Sequence, residues 1–145
     1  MLYIFHGNDI KKVLNASGKL IEGLKLKREF AQVFYFYPEN FNKENLETQQ
    51  SAQGLFFDKH IFVFKNFIES KKEVRDYVLN SLEYFIKSNN LYIILENDID
   101  SKYLDKIKNI KNIKMTYTIP PQTKIGHVHL KVSDIDTAWH FTKVY

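Results

Sequence analysis

The residues in this sequence that could do chemistry are few, and the first group is a turn near the start. A nucleotide phosphate loop needs a glycine-rich turn followed by a lysine and a hydroxyl residue, so that backbone N–H groups and the lysine hold the phosphates. The stretch "FHGNDIKK" has a single glycine, no Gly-Lys pair and no Ser or Thr after its lysines. We therefore expect no ATP binding, and we expect Asn8 or Asp9 to cap the helix that follows.

Asp98 and Asp100 form a second candidate, a pair of carboxylates for acid–base or metal chemistry. They follow a predicted strand, and the ends of parallel strands are where sites often form. No base, nucleophile or third ligand accompanies them in the sequence. A cap for the next helix is therefore the favoured interpretation.

A third candidate is basic, because Lys71, Lys72 and Arg75 lie close to Lys65 in the sequence. The favoured interpretation is a solvated helix face. A phosphate contact is the weaker alternative.

A fourth candidate is apolar: Leu55, Phe56 and Phe57 follow Gly54 on a stretch predicted as a loop. Phe57 is expected to turn inward where the next strand begins. Leu55 and Phe56 either pack against the preceding helix or project as a plug into the hydrophobic pocket of a partner. The residues alone favour burial, because an exposed apolar pair is costly unless a partner covers it.

The elements that must position these residues alternate along the chain. Apolar runs rich in β-formers predict strands, and apolar residues at helical spacing predict helices. Strands are predicted over residues 2–7, 32–37, 60–65, 91–96 and 113–118. Asn42 is expected to cap the helix over 42–53, and "SKKE" from Ser70 forms a capping-box pattern. The alternation predicts an α/β fold, with a mostly parallel five-stranded sheet and helices on both faces.

The composition limits the classes of function. A chain of 145 residues with 44% hydrophobic and 26% charged residues is typical of a globular protein with one ordinary core. Because cysteine is absent, disulfides, thiolate nucleophiles and Cys zinc sites are excluded, and a cytoplasmic location is expected. The net charge of +4 permits weak or indirect DNA contact. The apolar start of "MLYIFHGNDIKK" is shorter than expected of a signal peptide or membrane span.

Residues 1–120 resemble the N-terminal domain of the delta subunit of the bacterial DNA polymerase III clamp loader. The resemblance rests on "YIFHGND", "QGLFFDKHIFVFKN" and "LYIILENDIDSKYLDKI", which occur in that order. It implies a degenerate AAA+-type domain without a phosphate loop, and a role without intrinsic catalysis in clamp loading during DNA replication. It also implies that the sliding clamp is bound by Leu55 and Phe56, with Gln53 and Gly54 leading in. The family's later domains have no counterpart here, so contact with other clamp-loader subunits stays open.

A second resemblance follows Pro120 and Pro121, where we place a boundary between residues 1–120 and 121–145. The stretch "IGHVHLKVSDIDTAWHF" resembles the first strand and helix of the vicinal oxygen chelate superfamily, which includes glyoxalases, bleomycin-resistance proteins and extradiol dioxygenases. The resemblance places a divalent-metal ligand on His127, with His129 on the same face of the strand. The site is incomplete, because a catalytic metal needs about three protein ligands.

We therefore expect the tail, residues 121–145, to form a strand–helix appendage that docks on the first domain, with a disordered tail as the alternative. Its apolar edge must be covered by the first domain or by the tail of a second chain. A metal-dependent glyoxalase or dioxygenase fragment, defined by this tail, is the alternative function.

Overall fold

The computed structural model describes residues 1–27, 31–52, 59–110, 114–117 and 129–131. Within these ranges the elements are β1 (Leu2–His6), α1 (Ile10–Lys27), β2 (Val33–Phe36), α2 (Lys43–Ser51), β3 (Ile61–Lys65), α3 (Lys72–Lys87), β4 (Leu91–Glu96), α4 (Ser101–Lys108), β5 (Lys114–Tyr117) and β6 (His129–Lys131). A short 3-10 turn, Pro38–Asn40, follows β2. None of the helices in these ranges is both long and apolar enough to cross a membrane.

The sheet has the strand order β2-β3-β4-β1-β6-β5. Strands β2, β3, β4 and β1 are parallel to one another. For example, Phe5 of β1 lies opposite Leu95 of β4, and Val63 of β3 lies opposite Ile93 of β4. Parallel strands need a crossover connection, which explains why a helix lies between β1 and β2, between β2 and β3, and between β3 and β4. The predicted α/β class and the predicted parallel pairing of the first four strands are confirmed.

The other side of the sheet differs from the five-stranded arrangement that the sequence predicts. Strand β6 comes from the tail and lies between β1 and β5, antiparallel to both, so that Leu130 is opposite Ile4 on one side and Met115 on the other. Without β6, this edge of the buried strand β1 would leave backbone N–H and C=O groups unpaired. The strand from the tail therefore adds to the sheet formed by residues 1–120. The predicted cover of Val128 and Val132 concerns residues outside the described ranges and stays a prediction.

Two hydrophobic cores lie on opposite faces of the sheet, because successive strand residues point to opposite sides. Helix α1 covers one face with the buried side chains of Val13, Ile21 and Leu24. Helices α2, α3 and α4 cover the other face, with Leu46, Leu82 and Ile107 among their buried residues. The predicted placement of helices on both faces is thus observed.

Stacked aromatic rings hold β3 and β4 against α3 in the second core. Phe64 is fully buried, and its ring centroid lies 5.4 Å from those of both Phe36 and Phe85. Phe85 in turn stacks on Tyr92 of β4 at 4.2 Å. Burial of each such ring contributes about 1.5–3 kcal/mol to stability, and this packing fixes the strand ends from which the loops emerge.

The predicted cap of α2 is observed, and the predicted cap of α3 is not. Asn42 Oδ1 accepts a hydrogen bond from the backbone N–H of Asn45 at 3.2 Å and caps α2. The predicted capping box at Ser70 is wrong, because α3 begins one residue later and Lys71 occupies the N-cap position without a side-chain cap bond. The Ser70 hydroxyl instead donates to the carbonyl of Phe67 at 2.6 Å, within the preceding turn.

Candidate functional site

Helix α2 is the element that leads to the predicted clamp-binding segment. Leu46 is its fully buried anchor, and Gln50 Nε2 donates to the Tyr92 hydroxyl at 3.1 Å. Its exposed surface is polar and consists of Lys43, Glu44, Asn45, Glu47, Thr48 and Ser51. Because the helix is held by one face, the polar face remains free to contact a partner.

His60 links the residues that come before and after the segment 53–58. Its imidazole Nε2 lies 2.9 Å from the carbonyl oxygen of Ala52, which follows α2. The backbone N–H of His60 donates to Asn90 Oδ1 at 3.1 Å, which fixes the start of β3. Predicted site residues Gln53, Gly54, Leu55 and Phe56 lie outside the described residues, and their role stays a prediction.

The turn after β1 is held by contacts within the protein. The backbone N–H of Gly7 donates to the carbonyl of Asn97 at 2.7 Å, and Asp9 Oδ1 accepts from the backbone N–H of Lys12 at 3.2 Å. The Lys12 ammonium also lies 3.6 Å from Asp9 Oδ2. Asp9 therefore occupies the helix start as a cap, as the sequence predicts, and carries negative charge where a phosphate would have to bind.

Of the two histidines predicted on the tail strand, only His129 lies among the described residues. His129 begins β6, and the predicted metal ligand His127 lies outside the described residues. In the part of the chain that the structure describes, no group of three or more His, Asp or Glu side chains is arranged to hold a metal ion.

A cavity of about 780 Å³ lies at the carboxyl edge of the sheet. It lies among the segments that follow β2, β3 and β4 and the first turn of α3. Its lining comprises Pro38, Glu39, Asn66, Glu69, Ser70, Lys71, Val74, Glu96, Asn97, Asp98 and Asp100. Clefts of this size at the carboxyl ends of parallel strands are typical ligand sites in α/β proteins.

Glu96, the last residue of β4, is the fully buried member of this lining. Its Oε1 accepts hydrogen bonds from the backbone N–H groups of Phe67 and Ile68, at 2.7 and 2.9 Å. The turn that presents these groups starts at Asn66, whose φ of 59° is left-handed. No group in the described ranges forms a hydrogen bond with Glu96 Oε2. Burial raises the pKa of the Glu96 carboxyl to about 7, although the backbone hydrogen bonds oppose that rise.

Asp98 and Asp100 both line the cavity, but Asp100 has a structural role. Its Oδ1 accepts from the backbone N–H of Lys102 at 3.1 Å, so it caps α4, as the favoured interpretation predicts. This hydrogen bond, together with the Lys102 side chain, lowers the pKa of the Asp100 carboxyl. Asp98 Oδ1 accepts from the backbone N–H of Ile99 at 3.0 Å.

The basic residues near the start of α3 make separate contacts. The Lys65 ammonium lies 5.0 Å from the centroid of the Tyr35 ring, in cation–π geometry. Arg75 Nη1 donates to the carbonyl oxygen of Ser70 at 3.2 Å, and Lys71 lines the cavity. Because Lys65 belongs to β3 and Arg75 is half-buried, these residues do not form one solvated helix face, and the phosphate contact stays a prediction.

Sequence reasoning missed Glu96, which it treated only as the end of a strand. The available signal was a single acidic residue that closes the otherwise apolar run "LYIILE" and is followed by Asn97 and Asp98. A charged residue at the end of a strand buried on both faces must be solvated by specific partners.

No protein-family model matches the chain, and no curated protein or solved structure matches it either.

Proposed function

We propose that the chain is a delta-like domain that binds a bacterial sliding clamp and takes part in clamp loading during DNA replication. The observation that supports this function best is the fixed base of the segment 53–58. Helix α2 is anchored by Leu46, and the imidazole of His60 links β3 to Ala52 at the helix end. The described residues on either side of 53–58 are thus linked to each other, and we infer that Leu55 and Phe56 are presented to a partner from this part of the domain.

The proposed mechanism is mechanical. Leu55 and Phe56 enter a hydrophobic pocket of the ring-shaped clamp, and the domain holds one interface of the ring open. Burial of one Leu and one Phe contributes roughly 3–6 kcal/mol to binding. The entropy lost on association offsets most of this contribution. The exposed polar face of α2 supplies the additional contact area, because it leads directly to the plug.

The resemblance of the tail to vicinal oxygen chelate proteins gives the rival function, a metal-dependent glyoxalase or dioxygenase fragment with a divalent metal at His127. The pairing of β6 with β1 and β5 favours the first proposal, because it assigns the tail strand a structural role in the sheet.

The test is binding of the full chain to a purified bacterial sliding clamp, measured by surface plasmon resonance. Replacing Leu55 and Phe56 together by Ala is expected to abolish binding, because the plug supplies the apolar contact. The free energy of unfolding is expected to change by less than about 1 kcal/mol, since an exposed pair has few internal contacts.

A matched control replaces Leu26 and Tyr84, an exposed Leu and an exposed aromatic residue on other helices. This variant should bind the clamp as the unmodified chain does. Loss of several kcal/mol of stability in the plug variant would show that Leu55 and Phe56 are core residues and would refute the proposal. Equal loss of binding in both variants would refute it as well.

A further inference from the structure

The cavity at the carboxyl edge of the sheet has a charge opposite to that of the whole chain. Five carboxyl groups line it, those of Glu39, Glu69, Glu96, Asp98 and Asp100, together with one ammonium group, that of Lys71. The chain as a whole has a net charge of +4. Negative charge is therefore concentrated in one concave site of a basic protein, which attracts cations to it.

Ion pairs within the protein account for little of this charge. Lys102 Nζ lies 3.3 Å from Asp100 Oδ2 and neutralises that carboxylate on the surface. Among the described residues, no ion pair is formed by the other lining carboxylates or by Lys71. Glu69 Oε1 accepts a hydrogen bond from the backbone N–H of Asp100 at 3.2 Å, which fixes this carboxylate at the cavity.

Glu96 gives an independent indication of a ligand. Its side chain is fully buried and lines the cavity. The backbone N–H groups of Phe67 and Ile68 donate to Oε1, and the backbone of Glu69 also interacts with the carboxylate. Among the described residues, no side chain or backbone group is within hydrogen-bond geometry of Oε2. A buried carboxylate oxygen without a partner is costly, and a cationic hydrogen-bond donor is the group that would satisfy it.

The shape of the site distinguishes between kinds of cation. A divalent metal needs several oxygen ligands within about 2–2.6 Å, and no such group occurs among the described residues. The volume of about 780 Å³ is far larger than an ion and falls in the range of small-molecule sites. Val74 and Pro38 add apolar wall next to the carboxylates, which suits a chain of methylene groups.

We propose that this cavity binds an organic cation, with an ammonium or guanidinium group on an aliphatic stem, through Glu96, Glu69 and Asp98. The same chemistry is offered by a free diamine or guanidino compound and by a lysine or arginine side chain of a partner protein. The proposal does not depend on clamp binding, since the cavity and the segment 53–58 involve different residues.

The experiment is calorimetric titration of the full chain with agmatine, which carries both a guanidinium and an ammonium group and no carboxylate. It is run at about pH 8, because the Glu96 carboxyl has a pKa of about 7 and is mostly ionised above that value. We expect saturable binding with one site per chain. Glu96→Gln keeps an oxygen acceptor for Phe67 and Ile68 but removes the charge, and should weaken binding by about tenfold or more. Glu69→Gln, a second cavity variant, should weaken it in the same direction.

The matched control is Glu83→Gln, which removes one exposed carboxylate from α3 outside the cavity lining. Its affinity for agmatine should stay within about twofold of the unmodified chain. Absence of saturation at millimolar agmatine, equal affinity in the Glu96 and Glu83 variants, or tighter binding of Mg²⁺ or Ca²⁺ than of agmatine would each overturn the proposal.

A second arm distinguishes the two sources of the cation. A short peptide with a single arginine, acetylated at its N-terminus and amidated at its C-terminus, is titrated in parallel with agmatine. Tighter binding of the peptide, lost in Glu96→Gln, assigns the site to a side chain of a partner protein. Tighter binding of agmatine, lost in the same variant, assigns it to a free small molecule.

Discussion

Replacing Glu96 by Gln should change how the stability of the protein depends on pH. The carboxyl group of Glu96 has a pKa of about 7 in the folded chain, against 4.5 for an ordinary glutamate, because it is fully buried. The folded state therefore binds a proton more tightly than the unfolded state does. This contribution to stability is complete below pH 4.5 and is lost as the pH rises through about 7.

The magnitude follows from the two pKa values. At about 1.4 kcal/mol for each pH unit between them, the free energy of unfolding loses about 3 kcal/mol to ionisation of Glu96. Glutamine cannot ionise, and its amide oxygen can still accept the N–H groups of Phe67 and Ile68. The stability of Glu96→Gln relative to the unmodified chain should therefore rise by about 3 kcal/mol from pH 4.5 to about 8.

Urea unfolding followed by far-ultraviolet circular dichroism, at several pH values across this interval, measures the difference. Effects of the other carboxylates are common to both proteins and cancel in the comparison. Glu83→Gln is the control, because Glu83 is exposed and its replacement should change stability by less than about 0.5 kcal/mol. A constant difference between Glu96→Gln and the unmodified chain at every pH would refute the reasoning, as would a difference that shrinks as the pH rises.

Three further predictions concern the core, a helix cap and the tail. Phe64→Ala should lower the free energy of unfolding by about 3–5 kcal/mol in urea titration, because Phe64 is fully buried between Phe36 and Phe85; a loss below about 1 kcal/mol would contradict this packing. Asn42→Ala should cost about 1 kcal/mol, because the cap of α2 is lost, and Asn42→Asp should restore most of it; equal stability of the two variants would exclude a capping role. Truncation after Pro121 removes β6 and should speed amide hydrogen exchange in β1 more than in β3, as measured by mass spectrometry; unchanged protection of β1 would show that β6 contributes no pairing there.

Local patterns were sufficient to predict most of the fold. The apolar run "HIFVFK" becomes β3, and helical spacing of apolar residues such as Val78, Leu82 and Phe85 places α3 on the core. Asn42 is a cap because its short side chain reaches the N–H of Asn45 three residues on, which is a purely local interaction. Such features depend on neighbouring residues, so a single sequence contains the information.

Several features that depend on distant residues were not predicted, although the parallel pairing of β1 with β4 was. The insertion of β6 beside β1 pairs residues more than 120 positions apart, and local preference does not determine which strand occupies that edge. The capping box at Ser70 failed because a tertiary turn, which begins at Asn66 and converges on Glu96, uses the Ser70 hydroxyl and its neighbours. The cavity was not predicted either, because it is formed by three segments that are separate in the sequence and follow β2, β3 and β4.

The pairing of β1 also has a consequence for the order of events during synthesis. Strand β1 is made early, yet its neighbours β4 and β6 begin at Leu91 and His129. At roughly 5–20 residues per second, the ribosome needs roughly 5–20 s after β1 to deliver β4, and longer to deliver β6. All five residues of β1 are buried in the finished sheet. Until β4 and β6 have been synthesised, these residues lack the strands that pair with them. A fold of such high contact order is expected to form slowly, and its first strand is the segment with most to gain from a chaperone on the nascent chain.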